Sequence, residues 1–219
     1  MHKTEAVVSY APDSEIVSKI KAGEKDLFEV LIRRHNGALY KVGRSFGLLH
    51  DDVQDLMQEA HIAAYLNLGK FESRAAYKTW LIRIMLNKCY HLTMEKSHKS
   101  KSDFSEVSHT GEVNFTEKNT SSDGHREVLN RELGRVLEEC IEQLAPEYRT
   151  VFVLRELEGL NVNETASVMS ITEANVKVRL NRAKSMLRKK LESWYPKAAV
   201  YEFNLIYCDQ VVERVFQRI

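Results

Sequence analysis

Only three residues, Ser170, Ile171 and Thr172, separate two stretches of helical periodicity, and this join restricts the fold more than any other feature. Before it, Asn161 with Glu164 three residues on forms a capping-box pattern, predicting a short helix that ends near Met169. After it, Thr172 is a suitable N-cap for a helix from Glu173 to about Leu191. In that helix Val176, Leu180, Ala183, Leu187 and Leu191 follow one another by three or four residues and form one buried stripe. Two helices joined by so short a turn make a helix-turn-helix. Upstream, Val151, Phe152, Leu154 and Leu157 give a third apolar stripe, which Gly159 stops.

The face opposite the buried stripe is polar and basic. It carries Ala174, Asn175, Val178, Asn181, Arg182 and Ser185, with Lys177 and Arg179 on its flanks. From Asn161 to Lys190 seven Lys or Arg oppose two Glu, a local excess of five positive charges. Such a face suits the DNA major groove. Asn, Lys and Arg read base edges, an apolar group such as Val178 can meet a thymine methyl, and flanking cations hold phosphates. A solvated amphipathic helix in an ordinary bundle is the competing reading, which the cap, the turn and the short preceding helix disfavour.

The segment LAPEYRTVFVLRELEGLNVNETASVM followed by ITEANVKVRLNRAK closely resembles region 4 of bacterial RNA polymerase sigma factors, the nearest group being the short extracytoplasmic-function class. The resemblance implies binding to the −35 promoter element through Asn175, Lys177, Val178, Arg179, Asn181 and Arg182. The family pattern has Gly in the helix-helix turn and Ser one residue after the Lys/Arg of the recognition helix. Here those positions hold Ser170 and Val178, and the second departure bears on which sequence is read.

The rest of the chain adds a second block. Three Pro and nine Gly in 219 residues predict long helices, and no period-two strand pattern appears in the N-terminal half. A short helix with Ile16, Val17 and Ile20 begins at Pro12-Asp13-Ser14 and stops at Gly23. A second runs from about Glu24 into Phe46 and ends at Gly47. The helix DDVQDLMQEAHIAAYLNL buries Val53, Leu56, Met57, Ala60 and Ala64 and crowds Asp51, Asp52, Asp55, Gln58 and Glu59 near its start, where the helix dipole favours negative charge. Taken alone, this acidic face is a solvated one with good capping. No metal site is predicted, since no His or Cys converges and no ligand loop follows.

From Lys70 to Lys101 eight Lys or Arg oppose two Glu, and Phe71, Tyr77, Trp80 and Tyr90 are interleaved with them. That pattern suits single-stranded nucleic acid, held by phosphate attraction and base stacking, although core packing is the simpler role for Trp80. DVQDLMQEAHIAAYLNLGKF resembles region 2.2 of the same family, and Trp80, Leu81, Ile84 and Asn87 match regions 2.3 and 2.4. The resemblance implies docking on a coiled coil of the largest polymerase subunit through Asp52, Asp55, Leu56, Gln58 and Glu59. It also implies capture of a flipped −10 base by Phe71, Ser73, Arg74 and Tyr77, with Arg83, Asn87 and Lys88 holding the opened strand.

The sequence therefore predicts an all-α chain of two small helical domains joined by a flexible linker. Residues 12–100 form the region 2 bundle, 101–126 a Ser/Thr/Asn/Gly-rich acidic linker that lets the domains sit apart, and 127–195 the region 4 helix-turn-helix. A helix from Val128 to Leu144 completes the second domain. In the apolar tail, 196–219, Tyr201, Phe203, Leu205 and Tyr207 alternate, and Val211, Val212, Val215, Phe216 and Ile219 return to helical spacing. It is expected to pack on the second domain or between the domains, the alternative being contact with a regulator. His98, His109 and His125 read as solvent-exposed. Cys89, Cys140 and Cys208 have neither zinc nor disulfide spacing, which fits a reducing cytoplasm. No membrane insertion, cofactor or catalytic constellation is predicted. The expected partners are core RNA polymerase and promoter DNA, duplex at −35 and melted at −10, with an anti-sigma factor as a further candidate. The alternative is a helix-turn-helix regulator that binds duplex DNA without acting as a sigma subunit.

Overall fold

The computed structural model describes residues 11–100, 124–194 and 205–218, and all the regular structure within them is helical. In the first unit α1 (Asp13–Lys21), α2 (Phe28–Ser45), α3 (His50–Leu66) and α4 (Tyr77–Ser100) follow one another, with single 3₁₀ turns before α2 and after α3. Gly23 and Gly47 take positive φ, 114° and 78°, and end α1 and α2 as their positions in the sequence predict. Ile16, Leu31, Leu39, Val42, Val53, Ala60 and Met85 are fully buried between these helices. Gly43 sets the crossing of α2 and α3: a Cβ there would lie 2.6 Å from a Val53 methyl, so only hydrogen fits. Asp13 ties α1 to α2 through Arg34 at 2.6 Å and His35 at 2.9 Å.

The second unit comprises α5 (Gly124–Glu142), α6 (Pro146–Phe152), α7 (Val162–Met169) and α8 (Glu173–Trp194). Pro146 opens α6, where its missing N–H costs nothing. Residues Val153–Leu157 continue α6 as a π-helical turn, a departure from the regular stripe expected there. The wider turn shifts the phase of the helix, so Val153 and Leu154 point inward while Leu157 is half exposed. The capping box of α7 is complete: Glu164 N–H donates to Asn161 Oδ1 at 2.9 Å and Asn161 N–H donates to Glu164 Oε2 at 2.8 Å. At the head of α8 Thr172 Oγ1 accepts from Asn175 N–H at 3.2 Å.

Between them Ser170 caps α7 in the left-handed region, φ 55° and ψ 43°. A side chain there strains against the backbone, whereas glycine does not. Ser170→Gly is expected to stabilise the protein by about 0.5–1 kcal/mol in urea unfolding, after the greater chain entropy of glycine is subtracted. A loss of stability would contradict this account of the turn.

The two units do not sit apart. Val151, Leu154, Leu160, Ala166, Val168 and Met169 of the second belong to the same buried cluster as the core of the first. Polar contacts frame the join. Ser45 and Thr150 hydroxyls meet at 3.1 Å inside it, Thr79 donates to Glu164 at 3.1 Å, and Arg44 pairs with Glu142. At the centre lies Glu158, whose side chain is 4% exposed, with Lys41 at 2.9 Å and Lys78 at 2.7 Å. Lys78 also donates to the Glu158 carbonyl at 2.9 Å. Burial alone would raise the Glu158 carboxyl, but its hydrogen bonds from Lys78 and Lys41 hold it below the usual range. Both apolar faces were legible in the sequence, but pattern alone cannot say that they face each other.

Of the linker expected at 101–126, only 124–126 are described, as the first turn of α5. The first ten residues, and the side chains of His98, His109 and His125, also lie outside the description. In the tail α9 (Leu205–Phe216) has the helical spacing expected from Val211 on and also takes in Leu205 and Tyr207, where the sequence alternates, whereas Tyr201 and Phe203 are outside the described residues. Val211, Val212, Val215 and Phe216 are exposed, contrary to the packing expected for them.

Candidate nucleic-acid interface

Three surfaces are built on three helices. The first is the outer face of α8. Val176, Ala183 and Leu187 are buried beneath it, with Leu180 and Leu191 partly so, which leaves Asn175, Lys177, Val178, Asn181 and Arg182 exposed and Arg179 half-buried. Val178, an apolar side chain on this outer face, is 47% exposed. Tyr148 on α6 accepts from the Arg182 guanidinium at 3.3 Å, a support that the sequence reading missed because the two are 34 residues apart. Asn163 donates to Glu173 at 3.2 Å and fixes α7 against the start of α8. Arg179 faces Tyr90 of α4, where its charge opposes the rise that burial imposes on the Tyr90 hydroxyl.

The second surface is the loop before α4 and the helix itself. Here two sequence assignments need correction. Phe71 and Tyr77 are 6% and 2% exposed, so neither presents a free ring to a nucleic-acid base. Instead Phe71 packs on Tyr77 and Trp80 at centroid distances of 5.8 and 5.0 Å, and Lys21 donates to the Phe71 carbonyl at 2.7 Å. An interleaved aromatic reads alike in sequence whether it faces solvent or core. The exposed part of the loop runs from Glu72 to Ala76, in which Arg74 pairs with Glu72 at 2.7 Å and Ser73 takes φ 57°. Along α4 Arg83 and Asn87, one turn apart, are exposed on one side.

The third surface is the outside of α3. Leu56, which the periodicity put in the buried stripe and the resemblance in the docking set, is 7% exposed and belongs to the core. Asp55, Gln58 and Glu59 are exposed, while Asp52 is half-buried. Asp52 pairs with Lys96 at 2.6 Å and Glu59 with Lys88 at 2.7 Å, so two acids of α3 are tied to two bases of α4. Such partly exposed pairs orient side chains more than they stabilise, typically by less than about 1 kcal/mol each. Ile62 and Leu66 extend the same face in steps of four and are 60% and 75% exposed. The sequence reading missed both, although the i+4 spacing from Gln58 was there to find them. Beside them Phe28, Ile32, Met57 and Tyr65 line an open groove of about 730 Å³. Among the described residues no group of His, Cys, Asp and Glu converges as a metal site.

Comparison with known proteins matches these units in order. The family described as Sigma-70 region 2 matches residues 31–97, and Sigma-70, region 4 matches residues 134–187. The chain is 32% identical over 184 residues to the RNA polymerase sigma-H factor of Pseudomonas aeruginosa, covering 82% of this chain and 94% of that one. To the ECF RNA polymerase sigma factor SigW of Bacillus subtilis it is 30% identical over 182 residues, covering 80% and 94%. The structure of CnrH in complex with the cytosolic domain of CnrY is similar at a TM-score of 0.56 and 26% identity, covering 81% of this chain and 96% of that one. Sigma factor RpoE from Bartonella quintana, solved with the anti-sigma factor NepR, shares the fold at a TM-score of 0.62 and 18% identity, covering 75% and 96%.

Proposed function

Since this chain belongs to the extracytoplasmic-function class of sigma-70 factors, we infer that it directs core RNA polymerase to specific promoters and supports initiation of DNA-templated transcription. One observation carries the DNA-reading part: α8 keeps its apolar stripe packed and turns Asn175, Lys177, Val178, Asn181 and Arg182 outward together. We assign these residues, with Arg179, to the −35 duplex. Arg182 is the residue best suited to a bidentate base contact, because Tyr148 restrains its guanidinium.

Melted −10 DNA is assigned to the exposed loop at Ser73 and Arg74 and to Arg83 and Asn87 on α4, with Lys88 alongside. Phe71 and Tyr77 form the floor that shapes this loop. Polymerase docking is assigned to Asp55, Gln58 and Glu59, with Asp52 at the edge and Ile62 and Leu66 as the apolar part of the patch. Leu56 holds that face from beneath. Bond-making in this reading belongs to the polymerase, and the chain positions DNA. Its place of action is the cytoplasm, and no helix of the described residues is long and apolar enough to cross a membrane. An anti-sigma factor is a further candidate partner, a reading that the shared fold with NepR-bound RpoE supports. A regulator confined to duplex DNA would have no use for the α3 patch or the α4 loop.

Replacing Arg182 by Ala tests the −35 assignment. Binding to a −35 duplex at fixed salt is expected to weaken by about 1–3 kcal/mol, with relaxed preference at one base position. Unchanged affinity and preference would remove Arg182 from the reading surface.

A further inference from the structure

The second unit has a thin core. Cys140, Leu144, Ala183 and Leu187 are the buried members of its own cluster, and beside them runs an open apolar groove of about 640 Å³. One wall is α5, with Leu133, Leu137 and Ile141 spaced four residues apart. The other is α8, with Leu187 and Leu191, and Phe152 lies in the groove too. Leu133 and Leu137 remain 46% and 37% exposed. Two parallel rows of apolar side chains are the seat for a third helix. Lys184 and Arg188 line the α8 side of the groove.

The tail supplies such a helix. By helical spacing Leu205, Cys208, Val211, Val212 and Val215 share one side of α9; the three valines are about half exposed, and the adjoining Phe216 is 72% exposed. Ten residues, 195–204, separate the end of α8 from the start of α9 and can span up to roughly 33 Å. The tether begins next to Leu191 and Glu192 in the groove wall, so α9 can fold straight back. Its twelve residues are about 18 Å long, enough to cover the nine residues from Leu133 to Ile141, which span about 12 Å. The short tether, which starts at the C-terminal end of α8, favours the antiparallel direction. Run antiparallel to α8, α9 brings Asp209 towards Arg188 and Glu213 towards Lys184, both pairs being four residues apart on their own helices.

We propose that the tail helix of this chain docks antiparallel to α8 in the groove between α5 and α8, as the third helix that completes the −35 unit. Held by a ten-residue tether, it is an exchangeable cover: a stronger helical ligand can displace it without unfolding the unit.

A photoreactive benzoylphenylalanine at position 133, where the native Leu133 is half exposed, tests this in the full chain. Irradiation is expected to join position 133 to a peptide within 205–219, in a product of monomer mass. In the same protein carrying Val212→Glu and Val215→Glu, which leave both units untouched, that product is expected to fall at least about tenfold, since two buried valines are lost. A product of dimer mass would assign the groove to a second copy. No product with the tail, or one that survives the two Glu substitutions, would also overturn the proposal.

Discussion

Reversing two charges on α3, Asp55→Lys with Glu59→Lys, is expected to weaken binding to core polymerase by about 2–4 kcal/mol, roughly 30- to 1000-fold, and to abolish promoter-dependent transcription at ordinary concentrations. Both side chains are exposed, so helicity and unfolding midpoint should change little. The lost Glu59–Lys88 pair is a partly exposed one and contributes little stability. Binding to a −35 duplex should persist, because α8 is untouched. Asp55 carries the larger share of the prediction, as it has no ion pair among the described residues and presents its full charge to a partner. Full retention of polymerase binding, measured by pull-down or anisotropy, would reject α3 as the docking helix.

Glu158→Gln is expected to have the second large effect, in the opposite direction. The substitution keeps the shape and removes the charge that Lys41 and Lys78 share. Breaking a buried pair costs about 3–5 kcal/mol when the stranded charge stays buried. Here both lysines are a third or more exposed and can regain water, so about 2 kcal/mol is the better figure. That cost falls on the join between the two units, because neither lysine belongs to the unit that holds Glu158. Small-angle X-ray scattering should show a longer maximum dimension with unchanged helical content.

Function follows from the size of the closed form. Elements at −35 and −10 lie about 25 base pairs apart, close to 85 Å at about 3.4 Å per pair. A closed chain of this length is about 45 Å across, so it cannot hold both on a straight duplex. In this reading opening must precede or accompany contact with both elements, and its cost reduces the apparent affinity for a promoter that carries both. Lowering that cost by about 2 kcal/mol should raise the affinity of the polymerase-bound protein for a promoter carrying both elements by roughly tenfold or more. Unchanged dimensions and affinity would mean that Glu158 does not hold the units together.

What the sequence made legible was local chemistry. The capping box at Asn161 and Glu164, the Thr172 cap and the stripe from Val176 to Leu187 depend on residues three or four apart, and each stands where the pattern puts it. Ser170 could be read as a departure from glycine, but its left-handed backbone could not. Burial of Phe71 and Tyr77 was hidden because a basic-aromatic segment has the same composition whether its rings line the surface or the floor beneath it. Contacts across long separations left no trace in the pattern. Lys41 and Glu158 are 117 residues apart, and neither looks unusual in its own helix. The π turn escaped for a related reason, since Val151 to Leu157 fit an α stripe until the backbone widened under Leu157.

The most direct test of sigma activity is run-off transcription by purified core polymerase on a library of genomic fragments, with and without this protein. New transcripts starting at discrete sites, absent with core enzyme alone and sharing two sequence elements upstream, are the predicted result. No new transcript, together with failure to bind core polymerase and intact binding to duplex DNA, would contradict it and leave a regulator that reads DNA without entering the polymerase.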